Sequence, residues 1–213
     1  MHISKGDGAR KAPAGTYDEA LDAFLATYAL LPGMDGVVQL YRAVQSIPYF
    51  SGADRTPMAA LRDGRGACTA KHLVLRDALR RRGVAAVVEI VEGDFASGIP
   101  EHKTMPPRLK QMLRQGGVTD FHCRVRLTDK AAGQALDATW PQALMAWGFP
   151  ADTDWVGQGD TGQAIAQVIV RSRDDDVLGE KARLLATLSD QAGQRRKEFL
   201  ALLSGWLSAL PTK

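Results

Sequence analysis

Cys68 is the residue best placed to do chemistry. The chain reads Gly64-Arg65-Gly66-Ala67-Cys68-Thr69-Ala70-Lys71-His72, and the apolar spacing beyond it predicts a helix from about Ala67 to Arg82, closed by Gly83. A cysteine in the first turn of a helix faces unpaired N–H groups and the positive end of the dipole, and both favour a thiolate. The same N–H groups can hold the oxyanion formed when a thiolate attacks a carbonyl. Gly66 leaves room for a substrate backbone to approach. The competing reading is a small buried cysteine at a helix start.

A nucleophilic cysteine needs a base, and the base needs an orienter. Phe121 to Leu127 alternates, predicting a half-buried strand with Phe121, Cys123, Val125 and Leu127 on one face and His122, Arg124 and Arg126 on the other. A second strand over Gln134 to Thr139 sets Asp137 and Thr139 opposite Leu136 and Ala138 in facing. A two-residue turn at Asp129-Lys130 would place His122 directly across from Asp137, with Cβ atoms about 4.5–5.5 Å apart. A register shift of two leaves them diagonal and still within reach. Local pairing alone therefore predicts a His–carboxylate couple; the bland alternative is a surface ion pair. The chain contains no asparagine, which removes that residue as an orienter. Cys123 follows His122, so alternation turns their side chains to opposite faces. A Cys68–Cys123 disulfide and a Cys68–His122 dyad are then competing readings, with Cys123 expected in the core.

Cys68, His72, Leu75 and Leu79 fall on one helix row, so His72 is expected inward, either satisfied by a backbone carbonyl or supporting the site. Cys68, His72 and His122 are three conceivable zinc ligands, but Cys-x3-His is no established signature, and no metal is expected. Gly157-Gln158-Gly159-Asp160-Thr161-Gly162 matches a dinucleotide-loop pattern but follows turn-forming residues rather than a strand, so it reads as a loop. Arg80-Arg81-Arg82 reads as a solvated helix C-terminus rather than a nucleic-acid patch.

These residues need elements to hold them. Thr16-Tyr17-Asp18-Glu19 is a capping box opening a helix with Leu21, Phe24, Leu25, Tyr28 and Leu31, stopped by Pro32-Gly33. Asp35 is a candidate cap for a second helix ending before Pro48, and Thr56-Pro57 starts a third. Val84 to Val91 reads as a buried strand, residues 93 to 107 as a loop and Pro107 to Gln115 as a short surface helix. Residues 140 to 162 are turn-rich, Ala164 to Arg171 reads as a strand, and Asp174-Asp175-Asp176 caps a helical region running to about Leu210 with a break near Gly193. Helices, then a helix feeding an antiparallel sheet, then helices, is an α+β order.

The chain has 213 residues, of which 45% are hydrophobic and 24% charged, which suits one folded domain over residues 15–213 after a frayed tail at 1–14. A net charge of +3 is too weak to imply a nucleic-acid or membrane partner. The start lacks the apolar h-region of a secretory signal, and no apolar run nears the ~18 residues of a membrane span. Two cysteines make neither a disulfide framework nor a four-cysteine zinc site, and the expected location is the reducing cytoplasm.

The three motifs in order resemble the transglutaminase-like superfamily. Gly66-Ala67-Cys68 leading to Leu79 and Arg80-Arg81-Arg82-Gly83-Val84 is similar to its nucleophile helix, Phe121-His122-Cys123-Arg124-Val125 to its His strand and Leu136-Asp137-Ala138-Thr139-Trp140 to its Asp strand. The resemblance covers roughly residues 40 to 140, leaving a C-terminal helical extension over about 174–210. It implies a papain-like α+β fold with the nucleophile helix packed on an antiparallel sheet. It also implies Cys68 as nucleophile, His122 as general base and acid, and Asp137 as orienter, acting on a peptide or protein amide through a thioester without a cofactor. Tyr49 and Gly66 are its candidates for oxyanion or substrate support. The His strand departs from the family in continuing Cys123-Arg124, and an idle binding or scaffold domain on the same fold is the alternative.

Overall fold

A computed structural model describes residues 15–128, 133–152 and 154–211. The expected tail at 1–14 and the turn at Asp129-Lys130 lie outside the described residues. Helix α1 (Tyr17–Ala26) opens with the capping box, Thr16 Oγ1 accepting from Glu19 N while Glu19 accepts from Thr16 N. It stops at Ala26, not at Pro32: Tyr28 and Leu31, which a longer helix would carry, are exposed and give it little burial. Helix α2 (Gly33–Gln45) has Pro32, not Asp35, at its N-cap; Asp35 lies in the first turn, where its charge suits the dipole. Helix α3 (Pro57–Asp63) is capped by Thr56, and α4 (Cys68–Arg81) ends before Gly83, whose φ of 76° needs a glycine.

The sheet comprises β1 (Ala86–Asp94), β2 (Thr119–Leu127), β3 (Ala135–Leu136) and β4 (Ala166–Ser172), in the order β3-β2-β1-β4 with all neighbours antiparallel. Helix α5 (Pro107–Gln115) joins β1 to β2 and buries Leu109 and Met112. The last region is two helices, α6 (Val177–Leu185) and α7 (Asp190–Ser208). The break falls at 186–189, where Ser189 caps α7, and Gly193 lies inside that helix. A serine N-cap starts a helix firmly, whereas one interior glycine costs only about 1 kcal/mol.

The register of β2 with β3 pairs Val125 with Leu136 and Arg126 with Ala135. That is two residues away from the register a two-residue turn requires, because Leu127 N bonds to Gln134 O and the connection is longer. The paired part of β3 is two residues, not Gln134 to Thr139. Strand β2 is also buried on both faces rather than one. Phe121, Cys123, Val125 and Leu127 join a core with α1, α2, α4 and α6. The opposite side carries His122 and an ion cluster in which fully buried Glu89 accepts from Arg124 (2.9 Å), Arg126 (3.1 Å) and Arg173 (2.7 Å). A second core, with Tyr49, Phe95, Trp140 and residues of α5 and α7, closes that side. The glycine-rich segment 157–162 is a loop. No helix among the described residues is long and apolar enough to cross a membrane.

Candidate active site

Cys68 begins α4, and no side chain caps that helix; Ala67 holds the N-cap position. The first N–H groups of the helix are therefore free of side-chain acceptors beside the sulfur. The start is pinned from outside by a bridge between Tyr49 and Gly66: Gly66 N donates to Pro48 O (3.0 Å) and Phe50 N to Gly66 O (3.1 Å). Gly66 is not open to a substrate. A Cβ there would meet Ala60 Cβ at 3.1 Å and Ala70 Cβ at 3.3 Å, so the glycine lets α3 and α4 approach closely. Tyr49 is buried against Trp140 at 4.9 Å between ring centroids, and its pKa is raised by burial and then by the charge of Cys68.

His122 Nε2 donates to Asp137 Oδ2 at 2.8 Å, despite the shifted register, because the diagonal is within side-chain reach. Thr139 Oγ1 stands 3.4 Å from the same nitrogen. Asp137 also accepts from Ala164 N (2.8 Å) and Thr139 N (3.1 Å). Burial opposes its charge, but His122 and these donors hold the carboxyl far below the usual carboxylate range. Nδ1 of His122 is buried and has no hydrogen-bond partner. The ring and the Cys68 thiol shift each other's titration through their charges. Burial works against a charged His122, but Asp137 and then Cys68 push its pKa up to about 10. Cys68 is held well below an ordinary thiol, first by a hydrogen bond from Cys123 and then, against burial, by Lys181 and His122. Both shifts favour a thiolate and an imidazolium over a neutral thiol and a neutral ring.

His72 is fully buried with both ring nitrogens engaged: Nδ1 bonds Cys68 O (2.7 Å) and Nε2 accepts from Ala138 N (2.8 Å). It ties the nucleophile helix to the Asp137 segment, and burial lowers its pKa to about 4, so it stays neutral. Lys71 does similar work. Its Nζ donates to Gln45 O (3.1 Å), Ile47 O (2.6 Å) and Thr139 O (2.9 Å), using all three protons of an ammonium, although burial pulls its pKa down to about 7.

Two features escape the motif reading. Lys181 of α6 is buried with Nζ 3.5 Å from Cys68 Sγ, 2.8 Å from Thr69 Oγ1 and 3.9 Å from Cys123 Sγ. The signal was present in sequence: Val177, Lys181 and Leu184 share one helix row, a lone lysine in an apolar stripe. Cys123, in turn, lies in the core, yet its sulfur meets the same Thr69 hydroxyl and Lys181 ammonium as Cys68 Sγ. Above the site, Phe95 stacks on His122 (6.2 Å between centroids, 27°) and Phe199 of α7 meets Phe95 edge-on at 6.0 Å. Cys68 is 3% exposed, His122 0% and Asp137 4%, so α6 and α7 roof the centre completely. Among the described residues no group of three His, Cys, Asp or Glu side chains is arranged to hold a metal. No protein-family model matches the chain, and no curated protein matches it.

Proposed function

We propose that this chain is a transglutaminase-like, cysteine-dependent acyl-transfer enzyme acting on a peptide or protein amide, or an ester, in a reducing cytoplasm. The observation that carries the reading is His122 held by Asp137 at 2.8 Å with Nδ1 unpartnered, together with Cys68 at the uncapped start of α4. In this scheme the Cys68 thiolate attacks the carbonyl carbon, and N–H groups of the first turn of α4 receive the oxyanion. The His122 imidazolium gives its proton to the leaving amine or alcohol as the tetrahedral centre collapses to a thioester. His122, now neutral, draws a proton from water or an incoming amine, which releases the acyl group and restores the pair. Asp137 keeps the ring oriented through Nε2.

The test is acylation by an activated ester, read by intact mass across pH beside iodoacetamide labelling. The expected result is an acyl adduct on Cys68, absent in Cys68→Ala and slowed in His122→Ala, with labelling that persists below the pH range of an ordinary thiol. Labelling of Cys68 with an ordinary thiol profile, unchanged in His122→Ala, would overturn the activated nucleophile. The second reading, an idle binding domain on the same fold, is favoured by one observation: the centre is roofed, with Cys68 3% exposed. It predicts iodoacetamide labelling without acylation.

A further inference from the structure

Cys123 carries out no step of the proposed acyl transfer, and its sulfur is not isolated in the core. Cys123 Sγ lies 3.6 Å from Thr69 Oγ1 and 3.9 Å from Lys181 Nζ, the same ammonium that stands 3.5 Å from Cys68 Sγ. Both sulfurs also reach one hydroxyl, Thr69 Oγ1, Cys68 Sγ at 4.0 Å and Cys123 Sγ at 3.6 Å, and both thiols are free. The shared surroundings push the two thiols in opposite directions: the Cys68 interaction and burial raise Cys123, while Cys68 is lowered. A thiolate beside a protonated thiol is the arrangement in which one sulfur is oxidised and the other resolves it. Burial selects the oxidant, since only a small molecule reaches a sulfur that is 3% exposed.

We propose that Cys68 and Cys123 form a reversible redox couple, in which a peroxide oxidises Cys68 and Cys123 closes a disulfide over it. The Cys68 thiolate attacks one oxygen of hydrogen peroxide; an S–O bond forms, the O–O bond breaks, and the departing hydroxide leaves as water after taking a proton. Cys68 is now a sulfenic acid, oxidised by two electrons that the peroxide has gained. Cys123 then loses its proton and attacks that sulfur; the S–S bond forms, the S–O bond breaks, and a second water leaves. Two thiols and one peroxide become one disulfide and two waters, and a dithiol reductant reverses the change. The sequence leaves dyad and disulfide as rivals, whereas the geometry lets one sulfur serve both, one in each redox state.

The experiment treats the full chain with stoichiometric hydrogen peroxide, quenches it under denaturing alkylation, and reads intact and peptide masses with and without dithiothreitol. The expected result is loss of both alkylatable thiols and of two hydrogens, an intramolecular link between the Cys68 and Cys123 peptides, and full recovery on reduction. Cys123→Ser and Cys123→Ala, checked for native circular dichroism and treated beside the unaltered protein with several equivalents of peroxide, should instead accumulate sulfinic and sulfonic acid on Cys68 without recovery. Over-oxidised Cys68 in the unaltered protein with Cys123 still alkylatable, or a link between two chains, would overturn the couple. No step requires acyl transfer, so failure here leaves that scheme standing, and failure of acylation leaves the couple standing.

Discussion

The opposed shifts of Cys68 and His122 predict that folding moves a proton from the thiol to the ring, a transfer with a thermodynamic signature. His122 is raised from 6.5 to about 10, while Cys68 is held well below 9.0. Between those two ordinary values the unfolded chain carries a thiol and a neutral imidazole; the folded chain carries a thiolate and an imidazolium. Each state binds one proton at the pair, so the pair adds no slope to stability against pH. Removing one partner unmasks the other. In Cys68→Ala, Asp137 still raises His122; that contribution is complete below pH 6.5 and is lost as pH rises through the folded pKa. Cys68 supplies part of the rise, so the slope is at most about 1.4 kcal/mol per pH unit, a loss of up to about 2 kcal/mol between about pH 7 and about pH 8.5 relative to the unaltered protein. In His122→Gln, the Cys123 hydrogen bond and Lys181 still lower Cys68; that contribution is present above 9.0 and is lost as pH falls through the folded pKa, so stability rises across the same window. Lys71 adds a slope of its own, and because the Cys68 charge helps raise its pKa, Cys68→Ala is compared also in a Lys71→Met background. Urea midpoints at the two pH values should give differences of opposite sign for the two variants. Parallel profiles for all three proteins would refute the ion pair and leave a neutral thiol beside a neutral ring.

Two further outcomes follow from other charges. At about 4 Å and an effective dielectric near 20, an ammonium is worth up to about 4 kcal/mol to a thiolate, a ceiling of ~3 pKa units. With His122 and Cys123 still in place, Lys181→Met should raise the Cys68 midpoint, read from thiolate ultraviolet absorbance, by roughly 1–2 units; an unmoved midpoint would make Lys181 a packing residue. Burial opposes the charge of Glu89, but its arginines lower it from 4.5 to about 2, so its contribution is present above 4.5 and fades as pH falls toward 2. Glu89→Gln should cost about 3 kcal/mol near neutrality by urea unfolding and flatten the acid limb, because three arginines then face no carboxylate. An acid limb as steep as before would show that other carboxylates set it.

The nucleophile helix and the His122 strand were legible because each carries a long periodic signal with punctuation, Gly64 and Gly66 before α4 and Gly83 after it. The His122–Asp137 couple was legible for a weaker reason: the assumed register is off by two, but parity is kept, so both residues stay on one face and the diagonal suffices. Parity placed Cys123 in the core, where it lies, but it gave no sign that Lys181 and Thr69 would serve both sulfurs. The roof was hidden because α6 and α7 follow the last motif by dozens of residues, and pairing rules operate locally. Lys181 shows the limit best: one polar residue in the stripe Val177, Lys181, Leu184 marks a buried charge without naming its partner.

The roof makes Cys68 a reporter of local opening. A sulfur that is 3% exposed reacts with a bulky reagent only in molecules whose α6 and α7 have lifted, so the observed rate is the intrinsic thiolate rate multiplied by that open fraction. The denaturant dependence of the rate then measures the surface uncovered by the opening. A shallow dependence identifies detachment of the C-terminal helices with the sheet intact, and a steep one identifies loss of the whole fold. Any molecule that seats in the opened centre without reacting would hold those helices apart, and a distance probe between α7 and β1 would register it before any chemistry occurs.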